Sequence, residues 1–212
     1  DSTVTVDGNG LDCPNLTHSG SGALIVEVGD DNSSTVNQPI TIGGNLTADA
    51  STTFRGSAAG SGDDQVSSFT ATDVTTGANV TFNGFENGAS SEVELSLNSL
   101  TTTGGTVQLP DNTNDLNAEI ASDLVSQSGA VEARATDITT GNVEIQSSGT
   151  IDISDQGVQA NQLEVRGDFT RSESASPGLI TDFGDNPDPS ASPGGDPNSE
   201  LLFSGQDAGT FN

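Results

Sequence analysis

Few side chains in this 212-residue sequence could do covalent chemistry, since it holds one histidine and one cysteine. His18 sits in NLTHSGSG (15–22), a Gly/Ser-rich turn region without a G-x-S-x-G elbow, so a surface turn histidine is expected rather than a catalytic base. Cys13 has no intramolecular partner for a disulfide and is expected to be buried or paired with another chain. One Cys and one His do not make a zinc site. The 31 Asp and Glu guarantee close carboxylate pairs, and that abundance makes any one pair uninformative as an acid–base couple.

Ca²⁺ is the one ion the residue types suit, because hard cations take carboxylate, amide and backbone oxygens. The turn-like runs GSGDDQV (60–66) and DNTND (111–115) offer Asp63, Asp64, Asp111 and Asp115, and the first resembles a single copy of a calcium-binding nonapeptide repeat. The alternative is a solvated acidic turn. No other cofactor is expected.

Four arginines (Arg55, Arg134, Arg166, Arg171) and no lysine oppose those 31 acids, for a net charge of −27. Nucleic acids and anionic lipid surfaces are gripped by clustered Lys and Arg, so both are excluded as partners, as is insertion into a membrane, for which no apolar run is long enough. Exposed like charges repel over about 8 Å at physiological ionic strength and about 3 Å near 1 M salt. The charge therefore suits strong brine, or a setting rich in calcium. Asn15, Asn32, Asn45 and Asn79 begin N-x-S/T sequons that permit glycosylation in a secreted chain, at about the chance frequency for this Asn, Ser and Thr content. The chain begins at Asp1 without a charged-then-apolar leader, as expected of a mature secreted protein.

These residues must be positioned by short strands. Segments such as Leu24–Val28, Ile40–Ile42, Val80–Phe82, Val143–Ile145 and Leu163–Val165 alternate apolar and polar residues with Gly, Asn, Asp or Ser between them. Only residues 117–125 (NAEIASDLV) read as a short helix. Residues 68–82 (SFTATDVTTGANVTF), 94–109 (ELSLNSLTTTGGTVQL) and 132–145 (EARATDITTGNVEI) share a pattern. Aligned on Asp73, Ser99 and Asp137 they step by 26 and 38 residues, with 111–122 as an insertion in the longer step. Residues 44–47 (GNLT) ahead of Phe54 form a weaker relative. One such unit cannot close a core alone and must stack on its neighbours. The expected fold is all-β, a parallel β-solenoid; a jelly-roll β-sandwich is the alternative. A column of that kind explains how Leu, Ile, Val and Phe can be only 46 of 212 residues in a folded chain.

The run GNVEIQSSGTIDISDQGV (141–158) resembles coils of secreted β-helix surface proteins, the filamentous-haemagglutinin-like exoproteins and related β-helix proteins, over roughly residues 40–170. That group spans adhesins, surface-layer components, phage tailspikes and polysaccharide lyases, so the resemblance implies an extracellular β-helix at the cell surface.

Three regions follow: N-terminal strands or a cap (1–39), the repeat-bearing solenoid (40–171), and an extended Pro/Gly/Asp-rich acidic tail (172–212) that ends in an apolar strand. Leu201, Leu202, Phe203 and Phe211 are the tail's apolar residues, expected to cap their own column or to add to a neighbouring subunit; Val4 and Val6 are the corresponding N-terminal strand. The function expected is that of a non-enzymatic, secreted structural protein, a subunit of a homopolymeric filament or surface layer joined by β-edge pairing or tail exchange. The alternatives are an adhesin or module binding cell-surface or matrix polysaccharide, and a polysaccharide lyase. Four Arg and no Lys serve a lyase poorly, and the absence of Trp and Tyr offers sugars no large aromatic platform.

Overall fold

A computed structural model describes residues 2–6, 10–29, 37–56, 65–83, 93–109, 116–133, 136–153, 162–172, 179–180 and 200–204. The first coil comprises β1 (Ser2–Val6), β2 (Leu11–Cys13) and β3 (Leu16–His18), and the second comprises β4 (Leu24–Val28), β5 (Asn37–Ile42) and β6 (Leu46–Ala48). In the third, β7 (Thr52–Gly56) is followed by β8 (Gln65–Thr76), one long strand that pairs with both β5 and β6. Three coils repeat that plan: β9 (Val80–Phe82) with β10 (Val93–Thr102), β11 (Thr106–Gln108) with β12 (Leu116–Ser126), and β13 (Ala130–Glu132) with β14 (Thr136–Ile145). The seventh coil has β15 (Thr150–Asp152), β16 (Gln162–Val165) and β17 (Phe169–Arg171), and the last has β18 (Leu179–Ile180) and β19 (Glu200–Phe203).

Every described ladder is parallel. One sheet has the order β1-β4-β7-β9-β11-β13-β15-β18, and the second runs from β2 to β19, with β3, β6 and β17 beside its main path. Each strand pairs with its equivalent one coil away, which makes the molecule a parallel β-solenoid. A jelly roll is built from antiparallel strands, so that alternative is excluded. Coil length varies widely: Ala130 pairs with Thr150, Leu24 with Thr52, and Gln162 with Glu200.

The period-2 patterning gives the column its inside. Leu11, Ile40, Phe69, Leu95, Ala118, Ile138, Leu163 and Leu201 stack in register through the whole length. A second file runs from Leu16 through Leu46, Val74, Leu100, Leu124 and Val143 to Phe169. Each rung thus contributes one side chain per file, and a narrow column needs few large residues. The bulkiest fully buried side chains, Phe54, Phe69 and Phe82, lie in the third and fourth coils. Phe54 stacks on Phe82 at 5.4 Å, and Phe69 meets both edge-on at 5.0 and 4.9 Å. Buried hydroxyls line one inner corner, where Ser126 Oγ donates to the Gly129 carbonyl at 2.8 Å and accepts from the Thr150 amide at 2.9 Å.

Three sequence expectations change. Residues 117–125 are not helical but lie within β12, and the supposed insertion 111–122 overlaps that strand, a full rung of the column. Asp73 does pair with Ser99, but Ser99 pairs with Asp123, while Asp137 pairs with Asn117 at a different station of the coil. The similar strings DVTTG and DITTG therefore occupy different corners. At the N-terminal end, β1 to β4 belong to the same two sheets as the repeats. At the other end β19 pairs with β16 of its own chain, Ser204 Oγ donates to the Glu164 carboxylate, and Ser204 N donates to Val165 O at 3.2 Å.

Candidate functional site

A polar outer corner lies between the two halves of the longer sheet. Its stations, coil by coil, are Asn15, Asn45, Asp73, Ser99, Asp123, Asn142 and Asp168. Direct pairing links Asp73 to Ser99, Ser99 to Asp123 and Asp123 to Asn142. Asn15, Asn45 and Asp168 fall between strands, whereas Asp73, Ser99, Asp123 and Asn142 lie within strands that run on through the corner; at such a bend a short acceptor side chain can satisfy a neighbouring coil's backbone. Asn15 Oδ1 accepts from Asn45 N at 2.9 Å, and Asn142 Oδ1 accepts from Asp168 N at 2.9 Å. Asn142 Nδ2 donates to Asp123 Oδ1 at 2.8 Å. Asp73 Oδ1 accepts from Ser99 Oγ at 2.7 Å and from Asn98 Nδ2 at 3.0 Å. Those two donors hold the Asp73 carboxyl below the usual range, Asn98 contributing most.

Two residues beyond each corner, an outward file begins with Thr17, Thr47, Thr75 and Thr101 and continues with Val125, Glu144 and Thr170. The sequons at Asn15 and Asn45 are the corner and threonine stations of two successive coils, so the NLT words recur because the coil recurs. Asn79 is a corner of the other sheet, its Oδ1 accepting from Thr106 N at 3.0 Å. Toward the C-terminal end, Asp123, Val125, Asn142, Val143, Glu144, Asp168 and Thr170 line a shallow cleft of about 220 Å³. Among the described residues its polar lining is three carboxylates, an amide and a hydroxyl, without a cationic or imidazole group. Such a surface accepts hydrogen bonds and favours neutral or cationic groups over anions.

His18 lies on β3, half-buried, with Nδ1 2.9 Å from Thr52 Oγ1 at the start of β7. Cys13 is half-buried on β2, and burial together with the neighbouring Asp12 pushes its thiol up from the ordinary value. Leu201 and Phe203 pack on the end of the core, Phe203 edge-on to Phe169 at 6.2 Å, while Leu202 points out and is 38% exposed. Val4 and Val6 lie on β1, opposite Val26 and Val28. Asp63, Asp64, Asp111, Asp115, Asn32 and Phe211 lie outside the described residues. Among the described residues no three His, Cys, Asp or Glu side chains converge as metal ligands, and no helix is long and apolar enough to cross a membrane. The corner file and the cleft were missed from sequence, although Asp73 and Ser99 were already the positions on which two repeats aligned.

Fold and surface together define a parallel β-solenoid with polar side-chain ladders at its corners. No protein-family model, curated protein or solved structure matches the chain.

The corner file makes a testable contribution to stability. Asp73→Ala should cost about 1–2 kcal/mol at neutral pH, since Ser99 and Asn98 lose their common acceptor. The folded pKa of Asp73 is depressed, so its contribution is complete above the ordinary carboxylate value of about 4 and disappears as pH falls through the folded value. Urea unfolding of both proteins at pH 7 and near pH 2 checks this. A gap that stayed constant with pH would show that the carboxylate charge contributes nothing.

Proposed function

We propose that this protein is a secreted, non-enzymatic structural subunit that self-assembles into a filament or surface layer, in the manner of the filamentous-haemagglutinin-like surface proteins it resembles. The observation that carries the reading is the continuity of the column. One apolar file runs from Leu11 in the first coil to Leu201 in the last, and both terminal coils keep apolar residues packed on the core: Leu11, Cys13 and Leu16 at one end, Leu201 and Phe203 at the other. Among the described residues, β1 and β2 at the N-terminal end are each paired on one side only. Unpaired parallel edges are templates for another chain.

The acidic coat sets the conditions. Copies carrying −27 repel at low ionic strength, and concentrated salt or Ca²⁺ shortens that repulsion. Light scattering and negative-stain microscopy across a NaCl series should show elongated assemblies growing as salt rises. Compact monomers at every salt concentration would refute the reading. A second reading, a module that binds neutral or cationic saccharide units, is favoured by the cleft beside Asp123, Glu144 and Asp168. It predicts glycan binding without assembly.

A further inference from the structure

We infer that Asn15 and Asn79 are positions of N-linked glycosylation, each joined through Nδ2 to the anomeric carbon of a sugar; this rests on the secreted part of the reading above. Both asparagines are exposed, and both begin an N-x-T sequon with an apolar middle residue, Asn15-Leu16-Thr17 and Asn79-Val80-Thr81. In an extended chain residues i and i+2 share a face. Leu16 and Val80 pack on the core, so each amide stands beside its threonine hydroxyl on the outer surface.

The fold uses one atom of each amide and leaves the other. Asn15, Asn79 and Asn142 each cap the coil that follows, at the residue after a glycine. Asn15 Oδ1 accepts from Asn45 N at 2.9 Å, beyond Gly44; Asn79 Oδ1 accepts from Thr106 N at 3.0 Å, beyond Gly105; Asn142 Oδ1 accepts from Asp168 N at 2.9 Å, beyond Gly167. A backbone N–H can only donate, so the atom that faces it is the oxygen, and Nδ2 is turned away from it. At Asn142, where Asn-Val-Glu is no sequon, Nδ2 donates to Asp123 at 2.8 Å. At Asn15 and Asn79, Nδ2 has no partner among the described residues. Glycosylation joins that nitrogen to the anomeric carbon of a lipid-linked sugar phosphate. The bond from that carbon to the phosphate oxygen breaks, the phosphate leaves with the electron pair, and the amide releases one proton. Oδ1 keeps its lone pairs, so the cap survives the modification. Asn45 also begins an exposed sequon, but its side chain caps nothing among the described residues. It lies one coil from Asn15, about 4.8 Å away, too near for both to carry a sugar ring.

On protein collected outside the cells that naturally produce it, peptide mapping by a fragmentation method that keeps a sugar on its residue should place sugar on Asn15 and Asn79 and leave Asn45 bare. Thr17→Ala and Thr81→Ala, made in the same cells, each remove one sequon and keep its capping asparagine, so each should lose the mass of one glycan. Thr47→Ala should lose none. The mapping needs no variant, so it decides the matter even where a substituted chain fails to fold. Exported protein with either Asn15 or Asn79 bare, or with sugar on Asn45, would overturn the inference and leave the secreted reading standing. Protein retained inside the cell without sugar would overturn both.

Discussion

Phe82→Ala is expected to lower the free energy of unfolding by about 3–5 kcal/mol. Phe82 is 1% exposed and contacts both other rings of the cluster, stacked on Phe54 and edge-on to Phe69. Truncation removes the ring's burial, two aromatic contacts, and the support that each remaining ring has from that side. The surrounding strands are fixed by their ladders, with Val80 of the same strand paired to Thr52 and to Val107, so the void cannot collapse far. In a stacked column stability is set by neighbouring rungs, so amide protection should fall first in β7, β8 and β9. Urea unfolding with residue-resolved hydrogen exchange measures both effects. A loss below about 1 kcal/mol would be the cost of an ordinary surface change and would mean that the rings do not form the close-packed centre described.

Gly105→Val should be almost as damaging, for a different reason. Gly105 has φ +68, and a Cβ there would overlap the backbone of Ala78 in the preceding coil. The left-handed conformation costs a side chain about 1–2 kcal/mol, and overpacking a rigid site adds about 1–3 kcal/mol. The total is roughly 3 kcal/mol. Gly20 provides the control, since it also has positive φ, at +114, but no described residue lies within 4 Å of its Cβ position. Gly20→Ala should therefore show the conformational cost alone. Equal losses at the two sites would indicate that Gly105 is not in close contact with Ala78.

The strands were legible wherever alternation was uninterrupted, as in Leu24–Val28 and Leu163–Val165, because the two faces of such a strand meet different surroundings wherever it pairs. The pattern failed across β12. Ala118 and Ile120 point inward, then the register shifts between Ile120 and Asp123, and Leu124 and Ser126 point inward beyond it. An irregularity at the corner inserts residues into the period, so the apolar spacing there mimics a helix. The candidate site was legible only in part. Asp73 and Ser99 align by eye because 26 residues separate them and both precede a Leu/Val-Thr pair. Asp123 and Asn142 do not, since their coils are shorter and the threonine station holds Val125 or Glu144.

The sequence by itself determined the alternation of inside and outside, the acidic coat, and the all-β character, since each is a local property of residue type and spacing. The tertiary structure alone decided which station each word occupies. It turned two sequons into adjacent steps of one ladder, gathered three phenylalanines from β7, β8 and β9 into a single cluster, and joined Leu201–Phe203 to β16 across 38 residues. The physical reason is that a coil's corners and faces use the same short vocabulary of Thr, Asn, Asp and Gly with alternating aliphatics. Parallel hydrogen bonding between coils selects one register among several that the local pattern permits.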